Sequence, residues 1–364
     1  MAEQQALAQD FASGLGRLVD IGRRGGVDSL VLRAPATLSW LTGGRVNVPN
    51  TLDTACFDVV VDDIGASPTA TVVTNAVEAP RLAATELAGL PVKLEVIPWT
   101  QDRSARLPTG AAVGTDVPAA GRKDLSGEIT VARRSLTTHQ VNRLRALCVD
   151  AAAAMIAVAD SVQPEMTEYA AAGQISAELL QREMEPVCLF VAGGDRMGEH
   201  RHPLPTTGLL GRRASLVCCA RRHGLIASVT RIVCFRPPPD RGRYLALLEV
   251  ERAFLDATAT GVELGEVIRA GITAYAANGF ADDEWRRHHQ GGLSGWQPRE
   301  FPAGPGSAVP MSENAVVAWN PSGDSYKVED TCLVTRAGAE PLVTDANWPS
   351  VSVGGRLRPD LMIR

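Results

Sequence analysis

Two pairs of histidines carry most of the acid–base chemistry open to this chain. His288 and His289 begin the segment HHQGGLSGWQPRE (288–300), which closes on Arg299 and Glu300. Its Gly-Gly pair and a further glycine let backbone approach a ligand closely, so the segment has the make-up of a site floor. His200 and His202 lie in GEHRHPLPTTG (198–208), and Glu329 lies in WNPSGDSYKVEDT (319–331). A neutral imidazole can take a proton from water, and a carboxylate such as Glu329 or Glu300 can orient that imidazole or act as acid and base itself. The planar forks of Arg299, Arg201 and Arg231 suit a carboxylate and point to an anionic substrate. A His-His pair alone is weak evidence of metal, because no third ligand follows at i+3 or i+4. Neighbours on an extended segment face opposite sides, so one of the two, His289, is expected in the cleft. The competing structural readings are a salt bridge from Glu329 to Lys327 or an arginine, surface ion pairs for the arginines, and a loop hydrogen bond for one of His200 and His202.

The elements that must position these residues follow from periodicity. Residues 3–24 place Leu7, Phe11, Leu15, Leu18 and Ile21 at helical spacing. Strands are expected at 28–35, 56–63, 70–75 and 92–99, with a short helix or turn at 37–44 and a helix at 76–90. The pattern dissolves over 100–128, which reads chiefly as a linker and boundary, with AAVGTD (111–116) open as one more short strand. A long helix then opens at Thr137 or Thr138 and closes at Pro164, and a second has Thr167 as its cap. Strands are expected at 186–194 and, as a pair joined at 221–224, over 215–235. Helices at 241–259 and 263–278 precede the glycine-rich segment and strands at 315–321 and 330–335. Helices followed by strands occur twice, which suggests an internal α/β duplication.

Composition excludes several functions. The 364 residues, 45% of them hydrophobic, allow two domains with sizeable cores. A net charge of -5 and the lack of a basic run argue against nucleic-acid binding. Acidic and polar residues stand where a signal peptide needs a basic patch, and no apolar run is long enough to span a bilayer, so a cytoplasmic protein away from membranes is expected. The seven cysteines, an odd number without a C-x-x-C pair, read as reduced core thiols. Phosphate loops of the G-x-G-x-x-G or Walker type are absent, which argues against a nucleotide enzyme.

Three motifs in order carry a resemblance. HGLIASVTR (223–231) is similar to a G-Y-x-S-D-x-T-R strand, GGLSGWQPRE (291–300) to G-H-G-I-G-x-x-x-H-E, and KVEDT (327–331) to R-x-E-D-T. Together they resemble the creatinase, prolidase and methionine aminopeptidase superfamily, peptidase family M24. The resemblance implies an α/β (α+β) fold: a creatinase-like N-terminal domain with linker over 1–130, a pita-bread catalytic domain with internal pseudo-duplication over 131–345, and a tail over 346–364. It also implies a homodimer, and it leaves Trp40 two readings: a loop residue that reaches a partner subunit's active site to contact substrate, or a tryptophan buried in its own domain.

The departures from the motifs shape the functional expectation. Metal-dependent members hold two divalent ions with two aspartates, a histidine and two glutamates. Motif on motif, those positions fall here at Val217, Ser228, Gly292, Asn320 and Glu329. Only Glu329 is an anionic ligand, so a dinuclear centre lacks its donors, and neither metal nor cofactor is expected. Creatinase, a metal-free member that hydrolyses a C–N bond, shares the Arg-Glu pair found here at Arg299-Glu300. The resemblance thus implies a metal-independent hydrolase of a C–N bond in a small polar or anionic molecule, with specialised metabolism as a setting. His202 in H-P-L-P fits the family's histidine by residue type, while His200 fits the creatinase spacing; His202 is preferred as base. Glu329 and Glu300 complete the catalytic set, and Arg299, Arg201, His200, His289, Asn320 and Ser228 would contact substrate. Two alternatives stay open: a non-catalytic binding module, as in histone chaperones, and an Xaa-Pro aminopeptidase whose ligands are misaligned, with Asp195, Asp240 or Asp282 as substitutes.

Overall fold

Runs of β-branched residues such as FDVVVD and TATVVTN can bury both faces, and around them the N-terminal sheet forms. The structure, a computed structural model, describes residues 2–47 and 54–364. It divides into two compact units, Met1–Gln140 with His223–Leu225, and Val141–Arg222 with Ile226–Arg364.

In the first unit the chain runs α1 (Ala2–Gly25), β1 (Ser29–Leu32), α2 (Pro35–Thr42), β2 (Phe57–Asp62), β3 (Thr69–Asn75), α3 (Ala79–Ala84), β4 (Lys93–Ile97), β5 (Val113–Thr115), β6 (Lys123–Asp124) and α4 (Ser126–Arg133). The six strands form one sheet in the order β4-β3-β2-β1-β5-β6. The stripe of α1 buries Phe11, Leu18 and Ile21, as its spacing predicts. The helix expected over 76–90 is cut to six residues. Thr85 turns its hydroxyl onto the Arg81 carbonyl at 2.7 Å, and Gly89 takes φ +79 in the turns that follow. The stretch read as linker supplies β5, paired parallel to β1, then β6 and the start of α4.

The second unit holds α5 (Thr138–Ser161), α6 (Glu168–Gln181), β7 (Glu185–Gly193), α7 (Arg196–Glu199), β8 (Arg213–Arg222) and β9 (Leu225–Cys234). A second series follows: α8 (Arg241–Ala257), α9 (Leu264–Ala277), β10 (Gly291–Ser294), β11 (Phe301–Pro302), β12 (Val316–Trp319), β13 (Ser322–Gly323), β14 (Tyr326–Lys327) and β15 (Asp330–Thr335). Two helices followed by antiparallel strands thus occur twice, the duplication expected above. Thr137 receives the Gln140 N–H on its hydroxyl at 3.2 Å, and Thr167 caps α6 by accepting from the Ala170 N–H. The main sheet runs β11-β10-β12-β15-β9-β8-β7. One layer of its core is aromatic: Phe254 of α8 stacks on Trp319 of β12 at 5.4 Å, and the indole N–H donates to the Thr258 hydroxyl.

Residues 346–364, set apart in the sequence as a tail, are built into this unit. The chain continues from β16 (Gly338–Pro341) to the hairpin β17 (Ser350–Val353) and β18 (Arg356–Pro359), and ends in β19 (Met362–Ile363), which pairs parallel with β9. Arg358 is buried and grips Glu251 and Asp330, while Arg231 holds the other oxygen of Asp330 at 2.7 Å. Arg231 is therefore part of a buried ion network and does not face substrate.

Candidate active site

The loop that carries His202 is fixed by one buried carboxylate. Glu168 of α6 accepts from the Gly193 N–H at 2.9 Å, from the Thr206 N–H and hydroxyl at 2.9 and 2.7 Å, and from Arg196. These contacts pin both ends of the 196–206 segment. His202 then stacks on Phe190 of β7, ring centres 4.8 Å apart. His200 stays exposed, 3.9 Å from Glu199. The structure therefore brings His202, and not His200, to the other histidines.

A second brace holds His288 and His289. The Gln290 side chain donates to the Trp285 and His288 carbonyls and accepts from the Tyr275 hydroxyl at 2.9 Å. His288 points Nδ1 at the Ser322 hydroxyl (3.1 Å) and Nε2 at His202 Nε2 (3.1 Å). His289 lies 4.5 Å from the His288 ring and 5.4 Å from that of His202. His288 is extended (φ -150, ψ 145) and burial alternates along His288, His289 and Gln290, as strand geometry predicts, with His289 the exposed member. Both rings nevertheless line one cleft, so the expectation that His289 alone faces it does not hold. The three rings place a ligand nitrogen each within 4.8 Å of one another. The third member comes from a loop 86 residues away, which spacing rules for a local motif cannot reveal.

Across the sheet, the positions aligned with the family's metal ligands form the adjoining wall. Val217 and Ser228 are buried on β8 and β9, Gly292 lies on β10, and Asn320 and Glu329 flank β12 and β15. The Ser228 hydroxyl lies 3.5 Å from the Cys219 thiol, and its backbone N–H donates to Thr331. Glu329 is buried with Arg299 Nη2 at 2.7 Å and Lys327 Nζ at 3.0 Å, the ion pairs that the competing structural reading of this carboxylate gave it. Burial alone pushes the Glu329 carboxyl up, but Lys327 and Arg299 outweigh it and hold it at about 2. One carboxylate already neutralised, beside a valine, a serine, a glycine and an amide, does not fit two divalent ions.

Burial, followed by the charge of Lys327, pushes His288 down to about 2 and also lowers His202. Burial and Arg299 bring His289 to about 4. All three rings are neutral at pH 7, and in the 3.1 Å contact between the His202 and His288 Nε2 atoms one ring donates its N–H to the lone pair of the other. Buried polar atoms without a partner gather on the same strands and segment: Asn320 Oδ1, Arg299 Nε, Trp296 Nε1 and Thr230 Oγ1. They mark places where a ligand or water would complete the bonding.

The remaining expected residues divide. Arg201 is committed to an ion pair with Glu284. Glu300 is half-buried beside β10, its N–H donating to the Leu293 carbonyl at 2.8 Å. Trp40 is buried in the first unit, where a Cβ on Gly14 would meet its ring at 3.6 Å, so the indole is core of its own unit. Of the alternative acids, Asp240 pairs with Arg213 and Tyr326, and none of Asp195, Asp240 and Asp282 joins the histidines. Lys327, Phe190, Ser322 and Gln290 complete the site. Only Lys327 was visible beforehand, as the residue two before Glu329.

A pita-bread sheet with this ligand row defines a class, and comparison with known proteins agrees. The model of metallopeptidase family M24 matches residues 142–336, more than half of the chain. The chain belongs to that family. No curated protein sequence matches it. Among solved structures it is similar to the prolidase from Pyrococcus horikoshii OT3, at 14% identity and a TM-score of 0.77 over 91% of this chain and 98% of that one. Dipeptidase PepE from Mycobacterium ulcerans aligns at 19% identity and 0.76 over 98% of each chain. The N-terminal domain of the FACT complex subunit SPT16 from chickpea aligns at 13% and 0.67 over 92% and 97%. At these identities the likeness is one of fold.

Proposed function

We propose that this M24 protein hydrolyses a C–N bond in a small polar, anionic molecule without the dinuclear centre of metal-dependent relatives. The observation that carries the reading is the pairing of Glu329 with Lys327 and Arg299, which commits to protein cations the one anionic residue left at the five aligned ligand positions. His202 Nε2 takes a proton from water as the hydroxide attacks the carbon, and returns it to the leaving nitrogen. Lys327 and Arg299 supply positive charge for the developing oxyanion, and the unpartnered Asn320 Oδ1 offers an acceptor for a substrate N–H.

A panel of Xaa-Pro dipeptides, N-acyl amino acids and guanidino acids, followed by amine release with and without chelator, tests this. Turnover that persists in chelator and falls by about 10²-fold or more in His202→Ala and Glu329→Ala is expected. Activity that appears only with manganese or cobalt, at two ions per chain, would overturn it. A second reading, a binding module without catalysis, is favoured by one feature. The cavity between Val217, Arg201 and Lys327 measures only about 20 Å³, room for one water. Absence of turnover across the panel supports that reading.

A further inference from the structure

We propose that His202, His288 and His289 form a binding site for a single Zn²⁺ ion, distinct from the five positions that hold metal in the family. The three nitrogens lie within 4.8 Å of one another, and the His202 and His288 Nε2 atoms are 3.1 Å apart. Two imidazoles bound to one tetrahedral zinc at about 2.0–2.1 Å sit roughly 3.3 Å apart, so this pair needs almost no movement to share an ion. His289, half-exposed at the third corner, needs only a rotation of its ring.

The surroundings are those of a metal site. Ser322 at His288 Nδ1 fixes that ring and leaves Nε2 for the ion, and the Phe190 stack fixes His202. A cleft of about 430 Å³ lined by Trp285, His288, His289 and Gln290 gives an entry path. Glu329 is held by Lys327 and Arg299, so it adds no oxygen ligand. A set of three neutral imidazoles selects zinc, copper or nickel over manganese, magnesium and calcium. Three protein ligands leave the fourth position open to water or an anion. The nearby cations oppose a dication, which weakens the affinity relative to a closed structural site.

The consequence for catalysis rests on the function proposed above. A ligated His202 Nε2 has no lone pair for a proton, so zinc at this site switches the hydrolase off. It is then an inhibitory site, and chelation raises activity.

The test uses full-length protein with no histidine tag, titrated with Zn²⁺ alone by calorimetry and with Co²⁺ alone by visible absorption. One ion per chain is expected, with tetrahedral cobalt bands. His289→Ala and His202→Ala should each weaken binding at least about tenfold, and His200→Ala, at an exposed histidine outside the cluster, should leave it unchanged. Because His289 is exposed, its variant keeps the fold, which circular dichroism verifies. Less than about a tenth of a zinc per chain, binding indifferent to both histidine variants, or binding lost in His200→Ala would each overturn the site. Zinc binding is read without substrate, so the two proposals fail separately. Zinc that binds as expected while His202→Ala keeps full turnover removes the catalytic role and leaves the site. Chelator-resistant turnover that needs His202, with no zinc bound, does the reverse.

Discussion

At the scale of single residues, the site sets the buried Glu329 and its two cations beside one buried and two exposed imidazoles. Glu329 shows which effect wins: desolvation opposes its charge, yet two cations within 3.0 Å hold it ionised. The histidines show the opposite balance, because no carboxylate is free to pair with them. This gives a pH signature for stability. His289 drops from 6.5 to about 4 on folding, so at pH between those values the unfolded chain binds a proton that the folded chain does not. Its contribution is complete above about pH 6.5 and is lost as pH falls toward 4; His288 extends the loss toward 2. Urea unfolding at stepped pH should show stability declining below pH 6.5. His289→Ala should flatten the curve between 6.5 and 4, and an unchanged slope would refute the assignment. Glu329 acts lower still: its folded value lies below its usual one, so its contribution is present above about 4.5 and lost toward 2.

At the scale of elements, β10 decides what the site can hold. Gly292 takes φ +147, and a Cβ there would lie 2.2 Å from the Phe301 carbonyl oxygen of β11. Restoring the family's histidine by Gly292→His is therefore expected to cost more than about 2 kcal/mol in stability without producing a dinuclear centre. Thermal unfolding with and without manganese checks this; a stable variant that gains two ions would contradict it. The sequence made much of this scale legible. The stripe of α1, the caps at Thr137 and Thr167, and the hairpin of β8 and β9 follow from local periodicity and side-chain chemistry. The length of α3 did not, because nothing in the periodicity of 76–90 marks the turns that replace the helix after Ala84. The histidine triad was only half legible, since 86 residues of intervening chain, and not any local spacing, bring His202 to the pair.

At the scale of the whole molecule, the segment 346–364 belongs to the structure that supports the site. Arg358 pairs with Glu251 and, together with Arg231, with Asp330, which adjoins Glu329 at the start of β15. Arg358→Ala should cost about 3–5 kcal/mol, because it strands the buried Glu251 and leaves Asp330 to Arg231 alone. Guanidinium denaturation measures it, and a loss under about 1 kcal/mol would show the network to be dispensable. Deletion of 346–364, which also removes β19 from its place beside β9, should be worse. No helix among the described residues is long and apolar enough to cross a membrane. The backbone of β11 lodged against Gly292 has a further meaning for how such a chain can change over generations. A lineage drifting toward metal use would have to relocate a strand before a histidine at 292 conferred any benefit, and no single substitution does both. Selection acts on one step at a time, so a route to metal through the imidazoles of the proposed zinc site is shorter than one through position 292.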